Sequence, residues 1–491
     1  MSNLVTAAEN STIPTSWLED VIEDELCHLP ARELAKRLRT CEVSAREVVT
    51  AHLDRVERVN PGINAIVTLT ADQALADAAE ADERLAHGEE VGPLHGIPVA
   101  HKDNHDVAGV RTTYGSPLLA DNVPTAHSPI VERMRAAGVI TLGKTNIPEF
   151  GAGSHTMNPV FGATRNPYRP SLSAGGSSGG AAAALAAGLH PLADGNDMGG
   201  SLRNPASFCN VVGLRPSPGR VPCGPDGLPA SWLAVHGPMA RTVGDVALLL
   251  SVIAGYDPHS PFSLREPSEP FAEPLDTDLT GLRVAWSPDL GGLPVDPAVS
   301  QVLEPAVKVF GDLGCEVEEA TPDLTNADEV FRTLRARIFH LNLGALAEAH
   351  PGRIKKTLAD EIAYGGTLGG QRVATANLLQ TRLVASTREF FSKYDLLLAP
   401  VSQVPPFPVE WEYPETVAGH EMRDYIDWMR SSSAISATRC PAISVPAGFT
   451  ADGSPVGLQI IGPHRGELNL LRAAHMFEQA TRYGEGRPEL P

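Results

Sequence analysis

From Arg32 onward apolar residues recur at intervals of three and four, the spacing that turns one face of a helix toward a core. Ser44 with Glu47 three residues later forms a capping box, and Val49, Leu53 and Val56 follow at i, i+4 and i+7. The pattern predicts a helix beginning at Ser44 and stopping before Asn60-Pro61-Gly62, since proline brings no N–H to an interior turn. A second, alanine-rich helical stretch runs from about Ala71 to Leu85 and is closed by Gly88. Residues up to about Pro30 carry no period and read as a loose arm.

Beyond residue 90 the texture changes. Ile97-Pro-Val-Ala, Val139-Ile-Thr-Leu, Leu282-Arg-Val-Ala-Trp, Leu396-Leu-Leu-Ala-Pro and Ala442-Ile-Ser-Val-Pro are short apolar runs of strand character. Helical pieces lie between them, one around Val302–Leu313, while Tyr256 to Ser287 is rich in Pro, Asp and Glu and reads as a surface crossing. Helices alternating with strands predict the α/β class, with a large mixed sheet flanked by helices on both sides. There is no internal repeat or clean boundary. The expected organisation is one large domain, with residues 1–90 as a helical arm and annex and 91–491 as the α/β core.

Composition narrows the function. The chain of 491 residues carries 59 acidic against 39 basic side chains, a net charge of −20, which repels phosphate backbones and anionic lipid. Neither nucleic acid nor a membrane is therefore expected as a partner. The six cysteines include no CxxC pair, which fits a reducing cytoplasm. The N-terminal segment lacks a secretory pattern, and the longest apolar runs are too short to span a bilayer.

Three segments carry candidate chemistry. In Gly175-Gly-Ser-Ser-Gly-Gly180, glycines on both sides of two serines let backbone N–H groups approach a ligand. The alanine run behind them is a natural helix whose N-terminus favours developing negative charge. In Asn196-Asp-Met-Gly-Gly-Ser201 two glycines precede a serine, which is either an ordinary tight turn or the material of an oxyanion hole. In Ile97-Pro-Val-Ala-His-Lys102-Asp-Asn104, a lysine leaves a short apolar strand. It either snorkels to water or is desolvated enough to serve as a neutral amine base.

In order, spacing and flanking residues the three segments together resemble the amidase signature family. The likeness extends through Gly143-Lys-Thr-Asn-Ile-Pro-Glu149, Val211-Val-Gly-Leu-Arg-Pro216, Gly237-Pro-Met-Ala-Arg-Thr-Val243 and Pro441-Ala-Ile-Ser-Val-Pro-Ala-Gly448, loosening between about Tyr256 and Arg430. The resemblance implies an amidohydrolase that needs no cofactor or metal. Ser201 would be the nucleophile, Ser177 the bridging serine after a cis peptide bond, and Lys102 the base. Backbone N–H groups of Met198, Gly199, Gly200 and Ser201 would form the oxyanion hole. Gly151, Ala152 and Ser178 would contact the substrate, with Ser178, Asp197 and Arg203 also holding the loops. A small-molecule amide is the implied partner, with aryl amides preferred; esters and carbamates suit the same triad, and a homodimer is compatible with the family. A second reading is the amidase subunit of a tRNA-dependent amidotransferase, which passes ammonia to a partner.

Two departures stand out. Met198 replaces a threonine common in relatives, and His101 stands where an apolar residue is usual; it either modulates the proton of the neighbouring base or, the preferred reading, packs on the face opposite Lys102. Two other readings fail. Gly175-Gly-Ser177-Ser-Gly179 fits a nucleophile elbow, but Arg165 to Ala174 cannot be the buried strand such an elbow follows. His101 and His105 lie four apart, yet a strand followed by a loop does not put them on one face as a metal pair. Tyr425, Trp428 and Met429 could share a helix and form an apolar wall, or simply pack in the core.

Overall fold

Helix α1 (Ala31–Arg39) begins at Pro30, which offers no side-chain cap. Its orphan donors are satisfied from across the fold, where the Asp245 carboxylate accepts the N–H groups of Ala31 (2.8 Å) and Arg32 (2.9 Å). The computed structural model describes residues 25–224 and 231–490, so most of the expected N-terminal arm lies outside the described residues. Helix α2 (Ala45–Ile63) starts with both halves of the capping box, as the sequence predicts, but it runs through Pro61 instead of stopping before Asn60. Other bonds close its end: Asn64 adopts a left-handed conformation and Asn60 Oδ1 accepts the N–H groups of Ala65 and Ile66 at 2.9 Å each.

Strand β1 (Ile66–Leu69), helix α3 (Ala71–Ala86), strand β2 (Pro98–Lys102), helix α4 (Pro129–Ala136) and strand β3 (Ile140–Thr145) follow. They build a three-stranded sheet in the order β1-β3-β2, with β2 and β3 parallel. The chain continues through α5 (Gly179–Ala186), β4 (Leu192–Asp197), α6 (Arg203–Phe208), β5 (Val212–Arg215), β6 (Val235–Ala240) and α7 (Val243–Ile253). The segment expected as a surface crossing holds only one short 3-10 turn, Glu269–Phe271, before β7 (Arg283–Trp286). Then come α8 (Pro297–Asp312), β8 (Glu316–Glu319), α9 (Ala327–Ala349), α10 (Lys356–Thr367), α11 (Gly370–Phe390), β9 (Leu396–Pro400), α12 (Arg430–Thr438), β10 (Ala442–Phe449), β11 (Pro455–Ile461) and α13 (Glu467–Thr481).

The eight-stranded sheet has the order β8-β7-β9-β11-β10-β5-β6-β4. It is mixed: β7 runs parallel to β8 and β9, and the other pairs are antiparallel. Its central strands β9, β10 and β11 are buried on both faces, which explains why β9 and β10 read as apolar runs, while the edge strand β8 is largely exposed. On β9, Leu396 and Leu398 join the large core with Phe310 of α8 and Phe477 of α13. Leu397 and Ala399 face the other way, into a cluster with Ile435 of α12 and Phe390 of α11.

The two sheets meet where β2 runs beside β4. Two side-chain bonds join the strands there, His101 to Asp194 and Lys102 to Asn196. His101 therefore does more than pack, the role its sequence position suggests: it is fully buried and hydrogen-bonded to a carboxylate. Among the described residues no helix is long and apolar enough to cross a membrane.

Candidate active site

Strand β2 delivers Lys102 at its last position, with a fully buried side chain. Its ammonium lies 2.9 Å from Ser177 Oγ, 2.8 Å from Ser178 Oγ and 2.8 Å from Asn196 Oδ1. Burial pushes the Lys102 pKa down to about 7, against the opposing pull of Asp197 and Asp194. A neutral amine is therefore accessible near neutral pH, so the desolvated alternative holds for this lysine.

Ser177 and Ser178 lie just before α5, which is buried on every side. That burial demands the small residues of its first turn: a Cβ on Gly180 would lie 2.3 Å from the Asn146 nitrogen. The Gly176–Ser177 peptide bond is cis. Ser177 and Ser201 line the same cavity, of about 380 Å³. Among the described residues no hydrogen bond joins the two hydroxyls, while the Ser178 N–H donates to the Ser201 carbonyl at 3.2 Å.

The turn carrying Ser201 hangs from Asp197. This carboxylate accepts the N–H groups of Gly200 (2.8 Å) and Leu202 (3.2 Å) and two bonds from the Arg203 guanidinium (2.9 and 3.0 Å). Arg215 adds a further bond at 3.2 Å. Burial works against this charge, but the two arginines hold the Asp197 carboxyl well below the usual carboxylate range. Arg203 reaches on to Gln459 of β11 and Ser436 of α12, which ties the turn to the large sheet.

The Gly200 N–H is thus committed to Asp197, and Met198, Gly199 and Ser201 remain of the four donors that the resemblance nominated. Gly200 serves another purpose. At φ 125° it holds a backbone that side chains resist, and a Cβ there would meet Ser432 at 2.7 Å.

Of the three expected substrate contacts, Gly151 lines the cavity. Ala152 does not; it is buried in a cluster with Phe339 and Leu358. Ser178 turns to Lys102 instead of the cavity. Met198, which takes the place of the usual threonine, forms part of the cavity wall.

One wall comes from α9, and Asn104, His105, Asp106 and His236 put polar groups on another part of the lining. Phe331, Arg335, Ile338, Phe339, Asn342 and Leu343 all face the cavity. Their spacing is i, i+4, i+7, i+8, i+11 and i+12, a helical stripe that periodicity alone could have revealed. Arg335 is held by Glu361 and the Tyr425 hydroxyl and lies 4.6 Å from the Phe339 ring centroid. Tyr425 and Met429 complete the wall, but they do not share one helix: Tyr425 precedes the 3-10 turn Asp427–Met429. Trp428 packs in the core, stacked on Phe208 at 6.0 Å.

His101 and His105 do converge, but on a carboxylate. Asp194 lies between them, and among the described residues no group of three or more His, Cys, Asp or Glu side chains is arranged to hold a metal ion.

The chain and its fold have close parallels. The family model for Amidase matches residues 47–471. An acylamidase of Rhodococcus erythropolis is 40% identical over 95% of this chain and 98% of its own length. A glutamyl-tRNA(Gln) amidotransferase subunit of Thermosynechococcus vestitus is 36% identical over 94% of this chain and 99% of its own. Among solved structures, a bacterial aryl acylamidase of the amidase signature family superposes with a TM-score of 0.86 at 31% identity, covering 94% of this chain and 99% of that one. The substrate complex of a 6-aminohexanoate cyclic dimer hydrolase gives a TM-score of 0.84 at 28% identity, with coverage of 94% and 99%.

Proposed function

The chain belongs to the amidase signature family and is an amide-hydrolysing enzyme, and from that premise we propose that it is an acylamidase for small apolar amides, aryl amides foremost. The observation that carries this reading is Lys102 at 2.9 Å from Ser177, beside a cavity that Ser177 shares with Ser201 and that Phe150, Phe331, Phe339 and Tyr425 help to line.

In the proposed mechanism neutral Lys102 takes the Ser177 proton while Ser177 takes that of Ser201. The Ser201 oxygen bonds to the substrate carbonyl carbon, and the resulting oxyanion accepts hydrogen bonds from backbone N–H groups of Met198, Gly199 and Ser201. Collapse breaks the carbon–nitrogen bond as the proton on Lys102 returns through Ser177 to the departing amine. Water then attacks the acyl-enzyme by the same proton path and releases the acid.

The amidotransferase reading fits the cavity less well. Glutamine would bring an α-ammonium and an α-carboxylate into a cavity lined by Asp106, Asn104 and Asn342 as well as by Phe150, Phe331 and Phe339, where the one lining guanidinium among the described residues, Arg335, is already paired with Glu361 and so is not free for the carboxylate. Unpaired charges in such surroundings are costly.

The test is amine or alcohol release from 4-nitroacetanilide, aliphatic amides, carbamates, 4-nitrophenyl esters and glutamine, with Ser201→Ala as the control. Turnover of the anilide that vanishes in the control supports the proposal. Turnover of glutamine alone would replace it with the amidotransferase reading.

A further inference from the structure

A neutral lysine amine has two N–H donors and one lone pair. Lys102 has three close oxygen neighbours, Ser177 Oγ at 2.9 Å, Ser178 Oγ at 2.8 Å and Asn196 Oδ1 at 2.8 Å. Its lone pair can take the Ser177 proton only if the two N–H groups are spent on Ser178 and Asn196. The Asn196 backbone carbonyl lies farther off, at 3.4 Å, so the second N–H is best met by the Asn196 side chain, with that amide presenting its oxygen, and not its nitrogen, to the lysine.

The other end of the Asn196 amide sets that orientation. Its nitrogen donates to Asn104 Oδ1 at 3.1 Å and faces His105 Nε2 at 3.2 Å. His105 Nε2 can accept that proton only when the ring carries its own proton on Nδ1. Asp194 imposes that tautomer: one carboxylate oxygen accepts from His105 Nδ1, and the other accepts from His101 Nδ1 at 2.9 Å. Asp194 is fully buried in this position.

Resting on Lys102 as the base, we infer that His105 is a positioning residue: locked by Asp194 in its Nδ1–H tautomer, it orients the Asn196 amide and so turns the lone pair of Lys102 toward Ser177. The charged and titratable groups around His105 are Asp194, Lys102, Lys144 and the His236 ring, whose centroid lies 4.7 Å away. Burial lowers the His105 pKa despite its bond to Asp194, which favours the neutral ring with Nε2 as an acceptor. Protonation of His105 would turn donor against donor and press the Asn196 amide to flip. The flipped amide would then occupy the lysine lone pair.

The experiment is a mutant cycle on the full-length enzyme with 4-nitroacetanilide as probe. His105→Phe and Asn196→Ala should each lower kcat at least tenfold with KM within twofold, and the double variant should be no slower than Asn196→Ala. Independent, multiplicative losses would overturn the proposal. The acid limb of the His105→Phe profile should stay or move to lower pH, because the lysine loses an acceptor that favours its charged form. A loosened site that admits water would instead move the limb upward, toward an ordinary lysine, and would also overturn it.

A second readout needs no turnover. In protein labelled with 15N-histidine, His105 should show a protonated Nδ1 and an unprotonated Nε2, a pattern lost in Asp194→Asn. An Nε2–H tautomer would sink the inference whatever the activity. Silence on every amide with the Nδ1–H tautomer in place would sink the acylamidase reading and leave the His105–Asn196 lock standing.

Discussion

Lys102 Nζ stands 2.9 Å from Ser177 Oγ with its side chain wholly buried, so the group best placed to deprotonate the serine is also the one least able to hold a charge. Burial lowers its pKa from the ordinary lysine value to about 7. The base form is required for attack, so kcat/KM for an amide should rise with pH through about 7 and level off above it. An ordinary lysine would keep the rate climbing to pH ~10. A pH–rate profile checks this, and Lys102→Met should be inactive throughout.

The same shift appears in stability. Between about pH 7 and the unfolded lysine value, the unfolded chain binds a proton that the folded chain does not, so this group makes stability rise with pH across that window. Below it the cost of charging a buried amine is fully present. Urea unfolding of Lys102→Met should therefore show a flatter rise from pH 7 to 10 than the wild type, and no loss of stability at pH ~6.

Ser201→Ala should abolish amide turnover while urea unfolding stays near the wild type, since Ser201 lines a cavity and no packed side chain depends on its hydroxyl among the described hydrogen bonds. Ser177→Ala should retain a trace, slower by a factor of about 10²–10⁴, the usual worth of a positioned proton relay. A fluorophosphonate should label the wild type at Ser201 and leave Ser201→Ala unmodified; labelling elsewhere would move the nucleophile.

Arg203 donates two bonds to Asp197 inside the core, and both side chains are fully buried. Arg203→Met leaves the carboxylate with Arg215 alone among its buried arginine partners and should cost about 3–5 kcal/mol, measured by urea unfolding. Because Asp197 also holds the Gly200 N–H, activity should fall further than the loss of folded protein explains.

Gly199 has a tighter constraint than its backbone suggests. A Cβ there would lie 2.6 Å from Phe331 Cζ and 2.9 Å from Met429 Cε. Gly199→Ala should displace the turn and lower kcat by at least tenfold. Adding Phe331→Leu should recover part of that loss by vacating the ring position. If the double variant is no faster than the single, the clash is not the cause.

The expectations read from sequence succeeded where the signal was local. The Ser44–Glu47 capping box, the apolar strand runs and the glycines around Ser177 and Ser201 all act over a few residues, and each stands where the pattern put it. Failures came where a hydrogen-bond partner that no hydrophobic or glycine pattern marks decided the outcome, close in sequence for Asn60 and Asp197 and distant for Ser178. Helix α2 runs through Pro61 because Asn60 and Asn64 close its end. The Gly200 N–H is lost to Asp197, and Ser178 faces Lys102 and not the cavity. The α9 stripe was legible in principle, since its period is helical, but nothing in that period says that the face borders a cavity instead of a core.

Order and spacing along the chain were enough to mark the family, the class of chemistry and the residues nominated to perform it, because a motif is a one-dimensional pattern. The state and surroundings of those residues came from three dimensions alone. The lowered pKa of Lys102 arises from burial, which no local pattern encodes. The bridge of His101 and His105 through Asp194 needs β2 and β4, nearly a hundred residues apart, to lie side by side. Electrostatics and packing depend on what surrounds a group in space, and that is set by the whole fold.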